Sequence, residues 1–415
     1  MIKKVVFYLF LTIFCSLLFA QTKTADYILT QEEVISDCNE MITYVEAIHP
    51  FFLREKKRKA EYKKAKKEYL DNCQKTQSVW EFSKNTSEFL TFFNDGHTHL
   101  NLHSSGFLEP VFYYDGENLF ADENLVPVTE INSIPLSEIF ELLDILYPAE
   151  NIMCIYKNYE IYSRNIDLLD SLRKNDDKKY TLTFADGTKT ECKVTVEPKT
   201  GYSNEQNTIK LEDDIVIIDY NQCNDDFECK VVCIDLQSYL MQGYKKVIVD
   251  VRGNGGGNSV ANDKLLETMG MTASFGGVYE RFSQYTAQMY KEAFGVNKPT
   301  SGHQKWKTGI KNQQNPDINL VVLTDRYTFS SAMDFATCVS DAHLGILVGE
   351  PSSNSPSSYG DNYYFSLKNS GLSGSISHKY FMRNDTSKNN ELLLKMDIST
   401  DPKFAMEEAK KYLKK

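Results

Sequence analysis

Several features that mark special classes of protein are scarce in this sequence. Its 415 residues include only 2 Trp, 11 Pro and 21 Gly, which excludes collagen-like and proline-rich chains. Basic residues are in the minority, with 46 Lys and Arg against 57 Asp and Glu and a formal net charge of −11. Without an excess of positive charge to neutralise phosphates, nucleic acid is not an expected partner.

Long hydrophobic runs are missing after the first twenty residues, so no stable membrane span is expected in the processed chain. The rest of the composition, 41% hydrophobic and 25% charged, is typical of a globular protein. A chain of this length is expected to form two or three folding units, and its composition does not specify an oligomeric state.

The first twenty residues are the one long apolar segment. Lys3 and Lys4 precede an uncharged run that ends at Ala20, before the polar Gln21. This order is typical of a secretory signal peptide. Because Val5–Ala20 is short for a membrane-spanning helix, the sequence predicts cleavage after Ala20 and export to the periplasm or the medium.

Eight cysteines follow this segment, an even number that permits disulfides in an oxidising compartment. They are Cys38, Cys73, Cys154, Cys192, Cys223, Cys229, Cys233 and Cys338. The closest group, Cys223, Cys229 and Cys233, lacks the two-residue gaps of zinc sites. A local disulfide is therefore favoured there over a metal.

The pattern of apolar residues predicts three regions. A spacing of three to four residues between Thr30 and Asn94 indicates a helical domain over residues 27–95. Residues 96–200 mix short strands with a helix at Leu136–Tyr147. From 205 to 415, buried strands such as Lys246–Val251 and Ile318–Thr324 alternate with helices, which predicts an α/β domain with a mostly parallel sheet.

A glycine-rich loop follows the first of these buried strands. In Val247–Gly257, VIVDVRGNGGG, four glycines allow the backbone to bring N–H groups close to a ligand. The spacing is neither GxGxxG nor that of a phosphate-binding loop with GK[ST], so no nucleotide cofactor is expected. We expect the loop to bind a developing oxyanion, with a simple tight turn as the alternative.

A second candidate lies where the strand ending at Thr324 turns into a helix. The segment Val321–Ala336 reads VVLTDRYTFSSAMDFA. A serine at such a junction has an accessible hydroxyl next to a helix N-terminus, which favours developing negative charge. The plainer alternative is that a serine here only caps the helix.

The third candidate is the histidine in Asp95-Gly96-His97-Thr98, where a turn leads into a strand. A serine nucleophile needs a neutral imidazole within hydrogen-bond reach, and that imidazole can come from anywhere in the chain. His97, His99 and His103 together could suggest a metal, but their spacing matches no helical zinc motif. We therefore expect His97 to act as a base, with no metal bound.

Together these segments resemble the serine peptidase family that includes the tail-specific (C-terminal processing) proteases and the tricorn core protease. The resemblance extends over most of the chain after Ala20 and rests on these matches: His49-Pro50, Gly96-His97-Thr98, Asp250–Gly257, Thr328–Ala336, Val348-Gly349-Glu350-Pro351 and Tyr359-Gly360. It implies an N-terminal helical domain, a weakened PDZ-like module within residues 96–200 and a crotonase-like α/β/α catalytic core over 205–415.

The resemblance also implies the site residues. Ser330 corresponds to the nucleophile, and backbone N–H groups of Gly255 or Gly256 and of Ser331 correspond to the oxyanion hole. Where tail-specific members carry a catalytic lysine, this chain has Ser355. The closer match is therefore the tricorn-like branch, in which His97 is the base.

Some details depart from the family. Gly96 has no hydroxyl where a tricorn-type serine would stand, and Met333 replaces a common glutamate. Asp95 is the candidate for orienting His97. The predicted function is an exported serine peptidase acting on peptides or unfolded protein tails, without a cofactor. A noncatalytic relative that binds peptide or another ligand, and a serine esterase, are the alternatives.

Overall fold

The structure, a computed structural model, describes residues 23–102, 104–122, 124–173, 177–306 and 311–415. The predicted signal peptide and His103 lie outside these residues. Within the described ranges, no helix has the length and apolar character needed to cross a membrane.

The N-terminal part is helical, in agreement with its apolar periodicity. Its elements are β1 (Ile28–Leu29), α1 (Gln31–Ile48), α2 (Phe51–Arg54), a 3-10 turn (Lys56–Arg58), α3 (Lys59–Asn72), β2 (Gln77–Ser78) and α4 (Val79–Thr91). Helices α1 and α4 each begin at a capping box, formed by Thr30 with Glu33 and by Ser78 with Glu81. These reciprocal hydrogen bonds satisfy N–H groups that the first helical turn leaves free.

The middle part forms an antiparallel sheet with helices packed against it. Its elements are β3 (His99–Leu100), β4 (Phe107–Leu108), β5 (Phe112–Tyr114), β6 (Leu119–Ala121), β7 (Val128–Ile131), β8 (Ile134–Pro135), α5 (Leu136–Leu146), α6 (Ile152–Tyr162), α7 (Ile166–Leu172), β9 (Tyr180–Phe184), β10 (Lys189–Cys192) and β11 (Val194–Thr195). The sheet order is β10-β9-β7-β6-β5. Helix α5 follows the prediction, whereas α6 and α7 were not predicted.

The C-terminal part contains the α/β layers predicted from the sequence. Its elements are β12 (Thr208–Glu212), β13 (Ile215–Asp219), α8 (Phe227–Met241), β14 (Lys246–Asp250), α9 (Val260–Thr268), β15 (Gly277–Ser283), α10 (Gln284–Phe294), β16 (Ser301–Trp306), β17 (Asn319–Thr324), α11 (Ser331–Asp341), β18 (Gly345–Gly349), β19 (Tyr359–Ser366), β20 (Ser373–Met382), a 3-10 turn (Thr386–Lys388), β21 (Ile398–Ser399) and α12 (Pro402–Leu413).

The main sheet has the order β12-β13-β14-β17-β18-β21, and only β12 runs antiparallel to its neighbour. Side chains of α8, α9 and α11 share a core with one face of the sheet, and α12 covers the other face. The mixed α/β fold with a mostly parallel sheet is therefore confirmed. The carboxyl ends of β14 and β17 are neighbours, so the loops that follow them lie side by side.

A second, antiparallel sheet joins the N-terminal and C-terminal parts. Its order is β16-β15-β20-β19, and β3 pairs with β20 so that His99 faces Ser375. Leu367 and Ile376, from the chain around β19 and β20, are buried in the core of the N-terminal helices. The segment entering β3, which carries His97, is thereby fixed to the α/β part of the molecule.

The described cysteines are all free thiols. The favoured local disulfide among Cys223, Cys229 and Cys233 is therefore absent from the described residues. Cys229 and Cys233 instead lie one turn apart on α8.

Candidate active site

Ser330 lies in the tight turn between β17 and α11. Its backbone has φ 50° and ψ −125°, a region that non-glycine residues seldom occupy because it is strained. Such strain is typical of a nucleophile held on a sharp strand-to-helix turn. The Ser330 side chain makes no capping hydrogen bond, which argues against the plain helix-cap alternative.

Hydrogen bonds to distant segments hold this turn. The N–H of Ser330 donates to Oδ1 of Asn354 at 2.9 Å, and the N–H of Phe329 donates to the carbonyl of Asn254 at 2.9 Å. The hydroxyl of Thr328 donates to the carbonyl of Val251 at 2.9 Å. The serine turn and the glycine loop therefore form one connected structure.

Gly256 shows why the loop needs glycine. It has φ 99°, and a Cβ atom there would lie 2.7 Å from Cβ of Ser330 and 2.9 Å from N of Ser331. Any side chain would therefore displace the serine turn. Buried Asn254 shapes the same loop, because its Oδ1 accepts the N–H of Gly256 at 2.8 Å.

The three amides proposed for oxyanion binding differ in their hydrogen bonds. The N–H of Gly256 is engaged by Asn254. Across the described residues, the N–H groups of Gly255 and Ser331 have no acceptor. Because an oxyanion hole requires N–H groups that are still free, the pair Gly255 and Ser331 fits that role better than Gly256.

His97 lies beside the serine turn. Its ring packs against Phe329 with 4.5 Å between ring centroids, and its carbonyl accepts the hydroxyl of Ser375 at 2.6 Å. Both ring nitrogens are buried and have no hydrogen-bond partner in the described part of the chain. The structure therefore brings His97 next to the segment that carries Ser330, with an imidazole free to accept a proton.

Asp95, the predicted orienting residue, mainly shapes the loop. Its Oδ1 accepts the N–H of His97 at 2.9 Å, and its Oδ2 accepts the hydroxyl of Thr98 at 2.6 Å and Nε2 of His49 at 3.1 Å. Nδ1 of His97 is 3.9 Å from Oδ1 of Asp95. Burial alone would raise the pKa of Asp95, but His49, His97 and Thr98 outweigh it and lower the pKa to about 2.

Glu150 is a site residue that the sequence analysis missed. Its Oε1 accepts the N–H of Gly96 at 3.1 Å and lies 3.9 Å from Nδ1 of His97. Its Oε2 accepts Nδ2 of Asn354 at 2.8 Å and the N–H of Ser355 at 2.9 Å. Glu150 thus connects the loop of His97 to Asn354, the residue that holds Ser330. Glu150 could not be found from the sequence, because no recognisable motif surrounds it and the helix that follows it, α6, was not predicted.

Helix α6 presents further buried polar side chains to the serine turn at helical spacing. Nζ of Lys157 donates to the hydroxyl of Tyr202 at 3.2 Å and lies 4.7 Å from the centre of the Phe329 ring. One turn later, Glu160 accepts a hydrogen bond from Arg326 at 2.7 Å. The middle part of the chain therefore packs directly on the segment before Ser330.

One group of candidate metal ligands lies close together in the described ranges: Asp95, His97 and Glu150, whose ligand atoms are within 4.8 Å of one another. Both carboxylates already accept several protein hydrogen bonds. The arrangement is therefore better suited to orienting an imidazole than to holding an ion. His99 does not belong to this group.

The chain was compared with known proteins. Residues 214–398 match the family model described as peptidase family S41, and no curated protein sequence matches. Mature CPAF superimposes with a TM-score of 0.61 and 11% identity over 93% of this chain and 96% of that chain. Mature CPAF complexed with lactacystin superimposes with a TM-score of 0.61 and 12% sequence identity, covering 92% of this chain and 97% of that chain. The photosystem II D1 C-terminal processing protease superimposes with a TM-score of 0.45 and 11% sequence identity, covering 90% of this chain and 94% of that chain. The CPAF superpositions show a shared fold across nearly the whole chain.

Proposed function

Because residues 214–398 belong to peptidase family S41, as the motifs predicted, we propose that this protein hydrolyses peptide bonds through an acyl-enzyme formed on Ser330. The observation that carries the proposal is the strained backbone of Ser330, φ 50° and ψ −125°. Strain of this kind persists only where the surrounding structure enforces it, and it concentrates at functional sites.

In the proposed reaction, Oγ of Ser330 attacks the carbonyl carbon of the scissile peptide bond while His97 accepts the hydroxyl proton. The resulting oxyanion accepts hydrogen bonds from the free N–H groups of Gly255 and Ser331. His97 then gives its proton to the leaving amine as the C–N bond breaks. A water molecule repeats the two steps on the acyl-enzyme, which releases the carboxylic acid and restores Ser330.

Asp95 and Glu150 are positioning residues in this scheme. When His97 carries the extra proton, its Nδ1 side faces both carboxylates, each 3.9 Å away. Their negative charge favours the imidazolium that forms during the attack. The two carboxylates are equivalent candidates for this role, because each has one oxygen committed to two other donors, His49 and Thr98 for Asp95, Asn354 and Ser355 for Glu150.

Labelling with a fluorophosphonate probe, followed by mass-spectrometric mapping, tests the nucleophile. We expect modification of Ser330 that is lost in Ser330→Ala and strongly slowed in His97→Ala. Ser340→Ala, which removes a hydroxyl further along α11, is the matched control and should label normally. A folded protein that does not label would contradict the proposal and favour a noncatalytic peptide-binding relative. Turnover of esters without turnover of peptides would favour the esterase.

The proposed site of action is outside the cytoplasm, and the support for this is the signal-like segment before Gln21. Amino-terminal sequencing of the protein recovered from the periplasm or medium should begin at Gln21. Recovery of the full-length chain from the cytoplasm alone would contradict it.

A further inference from the structure

A short connector, residues 201–203, crosses the glycine loop on its way from the middle part of the chain to the α/β part. The N–H of Ser203 donates to the carbonyl of Gly253 at 2.8 Å. Gly201 packs so closely on the side chain of Tyr327 that the ring leaves no room for a Cβ atom. The connector is therefore fixed both to the glycine loop and to the serine turn.

Tyr202, at the centre of the connector, covers Gly255. A Cβ atom at Gly255 would meet the Tyr202 ring at 3.5 Å, an ordinary packing distance. Within the described residues, neither the N–H nor the carbonyl of Gly255 has a hydrogen-bond partner. The next residue, Gly256, is held by Asn254. Because no hydrogen bond fixes Gly255, the orientation of its N–H depends on packing, and Tyr202 supplies that packing.

The hydroxyl of Tyr202 is held by Lys157, on α6. Nζ of Lys157 donates to it at 3.2 Å and lies 4.7 Å from the centre of the Phe329 ring. Lys157 is only 7% exposed and forms no salt bridge in the described part of the chain. Burial lowers the pKa of Lys157, but Tyr202 and other neighbouring groups outweigh it and leave the pKa above its usual value. A buried cation without a carboxylate partner is a poor source of stability.

The same face of α6 also reaches the serine turn. One turn after Lys157, Oε2 of Glu160 accepts the hydroxyl of Tyr327 at 2.5 Å. Tyr327 in turn packs edge-to-face on Tyr202, with 5.3 Å between ring centroids. Two polar side chains of one helix therefore hold the two aromatic rings that pack on the connector and the glycine loop.

We propose that Lys157 and Tyr202 are positioning residues that keep the N–H of Gly255 directed at the developing oxyanion. The proposal rests on the proposed function, since it takes Gly255 as a donor to an intermediate formed on Ser330. An oxyanion hole is effective when its donors are fixed before the reaction and shielded from water. The Tyr202 ring meets both conditions on the side of Gly255 that it covers. The positive charge of Lys157, at the hydroxyl end of that ring, favours negative charge in the site.

Hydrolysis of fluorescein-labelled casein tests this role. We expect Lys157→Met to lower kcat by about 10-fold with KM unchanged, less than the roughly 100-fold loss when an oxyanion donor is itself removed. Tyr202→Phe, which keeps the ring but loses the hydroxyl, should have a similar effect. The double variant should lose no more than the larger single loss, because the two side chains act as one unit. Lys199→Met, which removes an exposed lysine near the connector, is the matched control and should keep kcat. Additive losses, or a loss carried by KM, would overturn the proposal.

Hydrogen–deuterium exchange requires no turnover and separates this proposal from that of the nucleophile. In Lys157→Met, the peptide with the hydrogen-bonded amides of Gly253 and Gly256 should exchange faster, while β13 should exchange as in the wild type. If Ser330 labels with fluorophosphonate but Lys157→Met matches the wild type in exchange and in kcat, the positioning proposal is wrong and the nucleophile stands. If exchange of the loop rises but wild-type Ser330 never labels, the two side chains brace the loop without serving acyl transfer. The proposed function then fails, and the catalytic part of this proposal fails with it.

Discussion

The side chain of Asn354 holds the backbone of Ser330, because its Oδ1 accepts the Ser330 N–H at 2.9 Å. Its Nδ2 donates to Glu150 at 2.8 Å, so one amide connects the proposed nucleophile to the loop of the proposed base. Asn354 is next to Ser355, which stands where the resemblance implies a catalytic lysine in tail-specific members. The segment that lacks the lysine therefore contributes a positioning amide.

Asn354→Ala should reduce kcat by roughly 10- to 100-fold with little change in KM. The variant removes a hydrogen bond worth about 1 kcal/mol and leaves the strained conformation of Ser330 less well enforced. The rate of fluorophosphonate labelling should fall by a similar factor, while the far-UV circular dichroism spectrum stays the same. Equal labelling rates in the two proteins would show that Asn354 does not position Ser330.

Glu150→Gln should lower kcat by about 10- to 100-fold, because the neutral amide cannot stabilise a protonated His97. The amide oxygen can still accept the N–H of Gly96, so the fold should persist. Glu141→Gln, on the exposed side of α5, is the matched control. If Glu150→Gln has wild-type kcat, Asp95 is the residue that supports His97.

Gly256→Ala should abolish activity and Gly243→Ala should not. Both residues have a positive φ, 99° and 97°, but a Cβ atom at Gly256 meets Ser330 at 2.7 Å whereas one at Gly243 meets no atom within 4 Å. Each variant costs roughly 1–2 kcal/mol for the unfavourable backbone, and only the first displaces the serine turn. Thermal melting and peptide hydrolysis of both variants separate the two effects. Active Gly256→Ala would contradict the geometry of the glycine loop.

Arg326→Met should destabilise the protein by about 3–5 kcal/mol, because it leaves buried carboxylates without a partner. Arg326 donates to Glu160 at 2.7 Å and to Glu350 at 2.8 Å, and all three side chains are largely buried. Chemical denaturation measures the change. Lys67→Met, which removes the exposed partner of Asp71, should leave the denaturation midpoint unchanged.

Asp334→Asn should raise the melting temperature at pH 7, and the gain should shrink toward pH 4. The folded-state pKa of Asp334 is raised by burial, with a further contribution from Glu150. The folded protein therefore binds a proton that the unfolded chain releases above about pH 4, so stability falls as pH rises. Asp263 on α9 and Cys338 on α11 line a small cavity together with Asp334, and both are retained in the variant. An equal gain at both pH values would contradict this account.

The local parts of the site could be predicted from sequence. Strands β14 and β17, predicted at Lys246–Val251 and Ile318–Thr324, are found at Lys246–Asp250 and Asn319–Thr324, because continuous apolar runs ending in turn residues are strong signals. The glycine loop and the turn at Ser330 follow them directly, so their placement at neighbouring strand ends follows from parallel pairing.

The parts formed by distant segments could not be predicted. Glu150 reaches the site only because α6 packs against the serine turn, and nothing near it in sequence indicates that contact. Strand β20 is buried along most of its length. Its sequence, SGSISHKYFM, does not alternate clearly between apolar and polar residues. Its stability comes from pairing with β15, β19 and β3. Tertiary contacts outweighed local preference in both cases.

The pairing of β3 with β20 has a consequence for the order in which the protein can assemble. The carbonyl of His97 is held by Ser375, 278 residues later in the chain. A ribosome therefore releases most of the polypeptide before the proposed base can take its place beside Ser330. The loop that carries His97 therefore stays without its partner on β20 until nearly the whole chain has been synthesised.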